Sequence, residues 1–336
     1  MNRLCAWACV CLCVPVCVCG VCTTLTPFLP SHPRSVLAVT YKQVYEQTYS
    51  FAHTLRTHAD ISIKPGHVVA IMAPNHLHYF SCWAGTALTG AASTTINPAY
   101  LLDEVLHQLK LTKAKVLVTH PDCLAVASEA AAALKIPVMI MDEPTDATAS
   151  VATTACPAVS PAAPATKALN VPVLSLSDAL LHPVTVSDPA SFAAPADSFD
   201  DQSLVTIPFS SGTTGQSKGV MLSHSNITKN VLQIHQYEGK YLLPEHTRSG
   251  ERGVLICPLP FYHIYGMVAG MLMPAVTGAK LVMMKAFDLK LFLGLIDEHK
   301  VTRAHVVPPI VLGLAKHPMI DEFSLKSLET LMSGAA

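Results

Sequence analysis

The chain has 336 residues, enough for one large or two medium domains that each bury a core. Hydrophobic residues make up 51% and charged residues 13%, a balance that excludes a disordered chain. Lys plus Arg number 22 against 23 Asp plus Glu, a formal net charge of −1. No overall field attracts nucleic acid, so any bound anion must be met by a local site.

The N-terminus is unlike the rest. Cys5, Cys9, Cys11, Cys13, Cys17, Cys19 and Cys22 crowd the stretch "LCAWACVCLCVPVCVCGVC". After Arg3 this run is close to the roughly 20 apolar residues of a spanning helix. Two accounts of residues 1–35 stay open: a signal peptide or membrane anchor through residues 4–22, or a mistaken gene model, since alternating Val and Cys is what a repetitive GTGT tract encodes. Cys82, Cys123, Cys156 and Cys257 are spread over the body without C-x-x-C spacing. That pattern predicts no zinc site and a reduced, intracellular body.

Residues 36–142 form the first predicted α/β part. In "TYKQVYEQTYSFAHTLRTH", Val44, Tyr45, Thr48, Phe51, Ala52 and Leu55 recur at spacings of three and four, the mark of an amphipathic helix. "KPGHVVAIMAP" is a Pro-Gly turn followed by a continuous apolar run, as expected of a buried parallel strand. Asn75 is placed as the N-cap of the helix "HLHYFSCWAGTALTG", with Gly90 ending it. His76 and His78 form an H-x-H pair with no carboxylate or Cys at metal spacing, so they are read as helix surface and no metal ligands are assigned. A short run "AASTTIN", the helix "LLDEVLHQLKLT", the strand "KVLVTH", an alanine-rich helix and the strand "IPVMIMD" continue the alternation. Strand and helix alternating at this spacing predict an α/β fold with doubly wound parallel sheets and helices on both faces.

Residues 143–200 break the pattern. "PTDATASVATTACPAVSPAAPATKA" is too rich in Ala, Pro, Thr and Ser to bury a core and is read as a disordered insertion. "VPVLSLSDALLHP" then returns to the fold as a strand and a helical turn. Residues 201–336 resume the alternation: "LVTIPFS", "GVMLSH", a helix "NITKNVLQIHQY" capped by Ser223 or Ser225, and a strand, turn, small-residue helix and strand within "GVLICPLPFYHIYGMVAGMLMPAVTGAKLVMM". The Met-rich "GMVAGMLM" is read as helix packing. The helix "LKLFLGLIDEHK", the strand "RAHVVPP", another helix and "LETLMSGAA" close the chain.

The stretch "SSGTTGQSKG", residues 210–219, carries the chemistry. Glycines let a backbone approach a polyphosphate without Cβ clashes. Ser and Thr hydroxyls and main-chain N–H groups form a nest for it, and one Lys neutralises charge. Ser210, Ser211, Gly212, Thr213, Thr214, Gly215, Lys218 and Gly219 meet that description. The spacing is not G-x-x-x-x-G-K-[ST], and the apolar runs on either side predict a loop between two strands.

"PFSSGTTGQSKGVMLSH" closely resembles the phosphate-binding signature of the adenylate-forming (AMP-binding) enzymes: acyl-CoA synthetases, luciferases and nonribosomal adenylation domains. "PLPFYHIYGM", "VVPPIVLGLAKHP", "SLKSLETLMSGAA" and "INPAY" with "DEVLHQLK" resemble the 4-coumarate:CoA ligase branch, from about Val39 to Ala336 apart from the insertion. The resemblance implies the large N-terminal domain of that family, with the C-terminal domain outside this chain. It implies an ATP-dependent acid:CoA ligase acting on an aromatic propenoate or fatty acid, with ATP, Mg2+ and coenzyme A.

Carried over by residue, Ser210, Ser211, Gly212, Thr213, Thr214, Gly215 and Lys218 would hold the ATP phosphates. His263 would sit by the acyl carboxylate and α-phosphate, with His263 and Lys218 the catalytic pair. His263, Tyr265 and Gly266 would line the acyl site, and Gly334, Ala335 and Ala336 would begin the adenine wall. Ser217 stands where the family usually has Pro. Ala286 stands where the plant ligases use a lysine for CoA, with Lys285 one position earlier. The motifs for the magnesium carboxylate, the ribose Asp and the catalytic lysine of the mobile domain do not occur before Ala336, so the 336-residue chain alone is expected to release no pyrophosphate.

The alternative from a different class is a noncatalytic nucleotide-binding remnant of the family. A carrier-loading adenylation domain is a third reading. The expected location is cytoplasmic or peroxisomal, or membrane-anchored if residues 4–22 act as an anchor.

Overall fold

The computed structural model describes residues 24–28, 37–141, 150–151, 171–181, 200–210 and 217–335. Strands β1 (Thr24–Phe28) and β2 (Leu37–Thr40) precede helix α1 (Tyr41–Thr57). Thr40 starts that helix by a reciprocal cap: its hydroxyl accepts from the Gln43 N–H, and the Gln43 side chain accepts from the Thr40 N–H. Val44, Thr48, Phe51, Ala52 and Leu55 are buried, as the three-and-four spacing predicts.

The next strands are β3 (Val68–Met72), β4 (Ala92–Ile96), β5 (Val116–Thr119) and β6 (Val138–Ile140), joined by α2 (Tyr79–Leu88), α3 (Leu102–Thr112) and α4 (Leu124–Leu134). Gly90, which follows α2, has φ +78°, a conformation that only glycine adopts without strain. Next come β7 (Ser150–Val151), β8 (Val173–Ser175) and α5 (Leu176–Leu181). β9 (Leu204–Thr206), β10 (Phe209–Ser210), β11 (Lys218–Gly219) and β12 (Leu222–Ser223) lead into α6 (His224–Tyr237). Ser223 is the N-cap of α6, accepting from the Asn226 N–H.

Beyond β13 (Val254–Cys257), a π-helical stretch Gly266–Leu272 continues into α7 (Met273–Thr277). The remainder is β14 (Lys280–Met284), α8 (Leu289–His299), β15 (Arg303–Val306), α9 (Pro308–Lys316) and β16 (Thr330–Ser333).

These strands make two seven-stranded sheets and a separate hairpin. The first sheet runs β12-β9-β4-β3-β5-β6-β8 and is parallel except at β12. The second runs β16-β15-β13-β14-β1-β2-β7, parallel from β16 to β1. Residues 24–28, read from sequence as part of the leader, thus supply a strand of the second sheet. Ser150–Val151 of the Ala/Pro-rich stretch pairs antiparallel with β2.

The layer order follows from the two-residue period of a strand. Val69 and Ile71 of β3 join Leu255, Cys257, Leu281 and Met283 of the second sheet in one central core with α1 and α2. Val68, Ala70 and Met72 face the other way, onto Leu109 of α3 and Ala127 of α4. Ile256, Val282 and Met284 face Phe292 and Ile296 of α8. Both sheets are therefore covered on both faces, which explains why their strands read as continuous apolar runs. Met267, Met271 and Met273 are all buried, in line with the packing reading of that segment.

Two expectations are corrected here. Asn75 does not cap α2, whose N-cap is His78 without a side-chain bond. The Asn75 amide instead crosses between the sheets, donating to Leu259 O at 2.8 Å and Met284 O at 2.9 Å and accepting from the Phe261 N–H at 2.7 Å. His76 and His78 are not on a surface: they are 7% and 1% exposed, and the His76 ring lies 5.2 Å from that of His78 and 5.7 Å from that of His120.

No described helix is long and apolar enough to cross a membrane, and residues 4–22 lie outside the described residues.

Candidate active site

The predicted loop between strands stands on an antiparallel hairpin, with Phe209 opposite Gly219 and Ser210 opposite Lys218. The hairpin leaves the C-terminal end of β9, the end at which open parallel sheets bind ligands. Ser210 and Lys218 are exposed at its mouth. A Cβ on Gly219 would lie 3.0 Å from both Ile207 and the Phe209 ring, so this glycine lets the hairpin base pack closely. Ser211, Gly212, Thr213, Thr214 and Gly215 lie outside the described residues.

The neighbouring strand and helix fix this base. The Thr94 hydroxyl of β4 donates to Ile207 O at 2.9 Å, just before the hairpin. Gln108 on α3 donates to the Thr94 hydroxyl at 2.8 Å and to Thr95 O at 3.1 Å. One residue earlier, His107 places Nε2 3.1 Å from Ser217 O and its ring edge-on to Phe209 at 6.4 Å. A carbonyl oxygen only accepts, so the His107 proton sits on Nε2. The position that lacks the usual Pro is thereby tied to α3.

The same strand also holds the histidine segment. The Thr95 hydroxyl donates to Tyr262 O at 2.7 Å, and Asn75 holds Leu259 and Phe261. His263 follows at once and is exposed. Its Nδ1 lies 3.3 Å from the Tyr265 N–H, and its carbonyl accepts from the Met267 N–H at 2.9 Å. With Nδ1 accepting, the neutral ring carries its proton on Nε2, where it can donate to an anion. A Cβ on Gly266 would lie 2.1 Å from Pro260 O, and one on Gly270 2.2 Å from the Cys257 sulfur. The turn that presents His263 and the π-helical stretch behind it therefore admit only glycine at these positions.

Tyr265 and Gly334 meet: a Cβ on Gly334 would lie 3.1 Å from the tyrosine ring. The Gly334 N–H donates to Val306 O, and Ala335 has φ +56°, a left-handed backbone rare for alanine. Ala336 lies outside the described residues.

Lys285 and Ala286 line a cavity of about 910 Å³ with Pro98, Asp122, Phe287 and Leu291. Lys285 Nζ is 2.8 Å from Asp122 Oδ2. Among the described residues no group of three His, Cys, Asp or Glu could hold a metal ion.

Sequence reasoning missed Thr94, Thr95, His107, Gln108 and Asn75 as site supports. The one available signal was their adjacency, since Thr94 and Thr95 are consecutive, as are His107 and Gln108.

An exposed lysine at the mouth of the hairpin, a histidine donor on a pinned turn and a tyrosine ring against a glycine are groups that suit a phosphate ester and a second, partly apolar ligand. A model described as AMP-binding enzyme matches residues 32–336. A 4-coumarate–CoA ligase 2 of Petroselinum crispum is 33% identical over 298 residues, covering 88% of this chain and 47% of its own length. The chain spans about half the length of the curated relatives it matches. A red-emitting luciferase of Phrixothrix hirtus superposes with TM-score 0.71 at 25% identity, covering 89% of this chain and 51% of its own. ATP-bound MatB of Rhodopseudomonas palustris superposes with TM-score 0.71 at 20% identity over 100% of this chain and 55% of its own, a likeness of fold.

Proposed function

From the premise that the chain belongs to the AMP-binding enzyme family, we propose that it carries the nucleotide- and acid-binding part of an ATP-dependent carboxylic acid:CoA ligase. The observation that carries the reading is the hairpin that sets Ser210 opposite Lys218 at the mouth of the family's phosphate signature. In the proposed reaction a carboxylate oxygen attacks the α-phosphorus of ATP, the bond to the bridging oxygen breaks, and pyrophosphate leaves with that electron pair. The thiolate of CoA then attacks the acyl carbon and AMP departs. The nucleophile is already ionised, so the protein's contribution to the first step is alignment and charge stabilisation.

Lys218, with Ser210, Ser211, Gly212, Thr213, Thr214 and Gly215, is assigned to the β- and γ-phosphates. The ammonium and the loop N–H groups would stabilise the charge that grows on the leaving pyrophosphate. His263 would donate from Nε2 to the α-phosphate or the carboxylate, holding the two reacting groups together. Tyr265 and Gly266 would line the acyl side, and Gly334, Ala335 and Ala336 would face the adenine. Mg2+ would supply charge neutralisation on the phosphates, and no ligand for it is assigned among the described residues. The cavity beside Lys285 is the place assigned to CoA. Lys285 would serve there in spite of its one-residue offset, provided it exchanges Asp122 for a phosphate.

A nonreactive acyl-sulfamoyl adenosine, which mimics the acyl-adenylate, tests the assignment by calorimetry. It is expected to bind at least roughly tenfold more tightly than AMP, because the acyl and nucleotide sites are filled together. Affinity equal to that of AMP for every acyl group tried would contradict an acid site next to the nucleotide.

A further inference from the structure

His120 and Asp122 sit in the turn that follows β5, and Lys285 follows β14, so a strand from each sheet ends at this point. One carboxylate oxygen serves both sides. Asp122 Oδ2 is 2.8 Å from Lys285 Nζ and 3.5 Å from His120 Nδ1. Asp122 is exposed, Lys285 is half-buried in the wall of the cavity of about 910 Å³, and His120 is buried. Asp288, Lys290 and Glu298 line the same cavity and are exposed, as does Cys123 of the His120 turn, which is buried. The His76 ring stands edge-on to that of His120 at 5.7 Å.

These contacts set the charge on each group. The Asp122 N–H donates to His120 Nδ1 at 3.1 Å, so the neutral ring carries its proton on Nε2. Burial first, and then the Lys285 charge, push the His120 pKa down to about 4, while the Asp122 carboxylate pulls it up. Burial also lowers His76 well below the ordinary value and His78 to about 4, and it raises the Cys123 thiol to about 11, so all three are uncharged at neutral pH. The Asp122–Lys285 pair is open to water on its carboxylate side. Such a pair holds weakly, and an anion can take Lys285 from it. The carboxylate then has His120 beside it, and the charge that opposed a second cation there is neutralised. A proton on Nδ1 would trade the Asp122 N–H for the Asp122 carboxylate.

We propose that Asp122 is a shared counter-ion: an anion entering the cavity draws Lys285 away from it, and His120 takes up a proton in its place, so that anion binding here is coupled to proton uptake. The inference rests on the reading that assigns this cavity to CoA and adds a regulation to it. The sign follows from linkage. His120 has a higher pKa in the complex than in the free chain, so affinity rises as pH falls from the ordinary histidine value near 6.5 toward about 4.

The probe is 3′-dephospho-CoA, whose diphosphate diester keeps its charge through the pH range tested. The whole chain, with its nucleotide site filled by a nonhydrolysable ATP analogue, is titrated calorimetrically at pH 7.5 and pH 5 in two buffers of different ionisation enthalpy. Affinity and proton uptake are read together. Affinity is expected to rise at least roughly threefold on going to pH 5, with net proton uptake on binding. His120→Asn keeps an acceptor for the Asp122 N–H and cannot titrate, so both effects should vanish while binding at pH 7.5 is retained. Asp122→Asn releases Lys285 and removes the counter-ion of His120. Its binding at pH 7.5 should tighten about twofold to fivefold and lose its pH dependence. Lys285→Ala should weaken the probe at least about threefold, which fixes where it binds.

Binding that needs Lys285 but shows one affinity and no proton uptake at both pH values overturns the inference and leaves the CoA assignment standing. A pH dependence that persists in His120→Asn, or binding in Asp122→Asn no tighter than in the unsubstituted chain, overturns it as well. Should His120→Asn fail to fold, Asp122→Asn carries the test from an exposed position. Binding that ignores Lys285→Ala, or none in the unsubstituted chain and in Asp122→Asn alike, removes the CoA assignment and the inference with it.

Discussion

Gly266 shows how much one hydrogen atom decides. Its absent Cβ leaves room for Pro260 O, which would otherwise sit 2.1 Å away. Gly266→Ala must push the turn that carries His263 off its place. We expect a loss of about 1 to 3 kcal/mol in denaturant unfolding, typical of an overpacked site, together with weaker ligand binding. An unchanged midpoint would show that the turn gives way freely. His78 makes a different demand. It is buried with Nδ1 3.2 Å from Gln47 Oε1, and burial lowers its pKa to about 4. The unfolded chain, with an ordinary histidine near pH 6.5, then binds more protons than the native state between pH 6.5 and 4. Stability contributed by neutral His78 is whole above that window and is lost as pH falls through it. Burial likewise lowers the pKa of His76 well below the ordinary value. His78→Gln should therefore unfold less steeply with acid than the unsubstituted chain in thermal melts from pH 7 to 4.5. Parallel acid limbs would mean that His78 is protonated at no cost.

At the scale of elements, β4 and α3 act as one support. Thr94 and Thr95 point to opposite faces of their strand, as successive residues must, and so reach the two chain segments that form the site, Ile207 and Tyr262. His107 adds the tie to Ser217. His107→Phe keeps the contact with Phe209 and removes the donor, so ATP affinity should fall about threefold to tenfold, the worth of one hydrogen bond. His107→Gln, which keeps an N–H at similar reach, should restore most of it. Equal affinity in the Phe variant would assign the hairpin's geometry to its own backbone.

The same elements show what was legible in sequence. The run Val68–Met72 announced a doubly covered strand because both its faces are apolar. Helix α1 was legible because its three-and-four spacing is local. Asn75 was misread because a cap and a long-range bridge call for the same side chain. Its actual partners, Leu259 and Met284, are 184 and 209 residues away, beyond any local pattern.

The molecule as a whole is two covered parallel sheets sharing one core, with the site strung along the seam. The hairpin grows from the first sheet, while Tyr265 and Gly334 belong to the second. Asn75 and Thr95 are the hydrogen-bonded ties across the seam at His263. This explains why segments far apart in sequence lie side by side, and why the alternation of strand and helix patterns showed the fold class but not the ties. The position of the Gly/Ser/Thr stretch between two strands was legible because apolar runs flank it. The His120–Asp122–Lys285 contact was not, because Lys285 comes from the other sheet and no local pattern announces it.

The central claim is that the Ser210–Lys218 hairpin holds the phosphates of ATP, and calorimetric titration of the 336-residue chain and its Lys218→Ala variant with MgATP tests it most directly. Lys218 is exposed, so its loss should leave the melting temperature in place. The account predicts saturable one-site binding that weakens at least about tenfold in the variant, as expected for a lost charge-assisted contact. Binding of equal strength in both chains, or none in either, would contradict it.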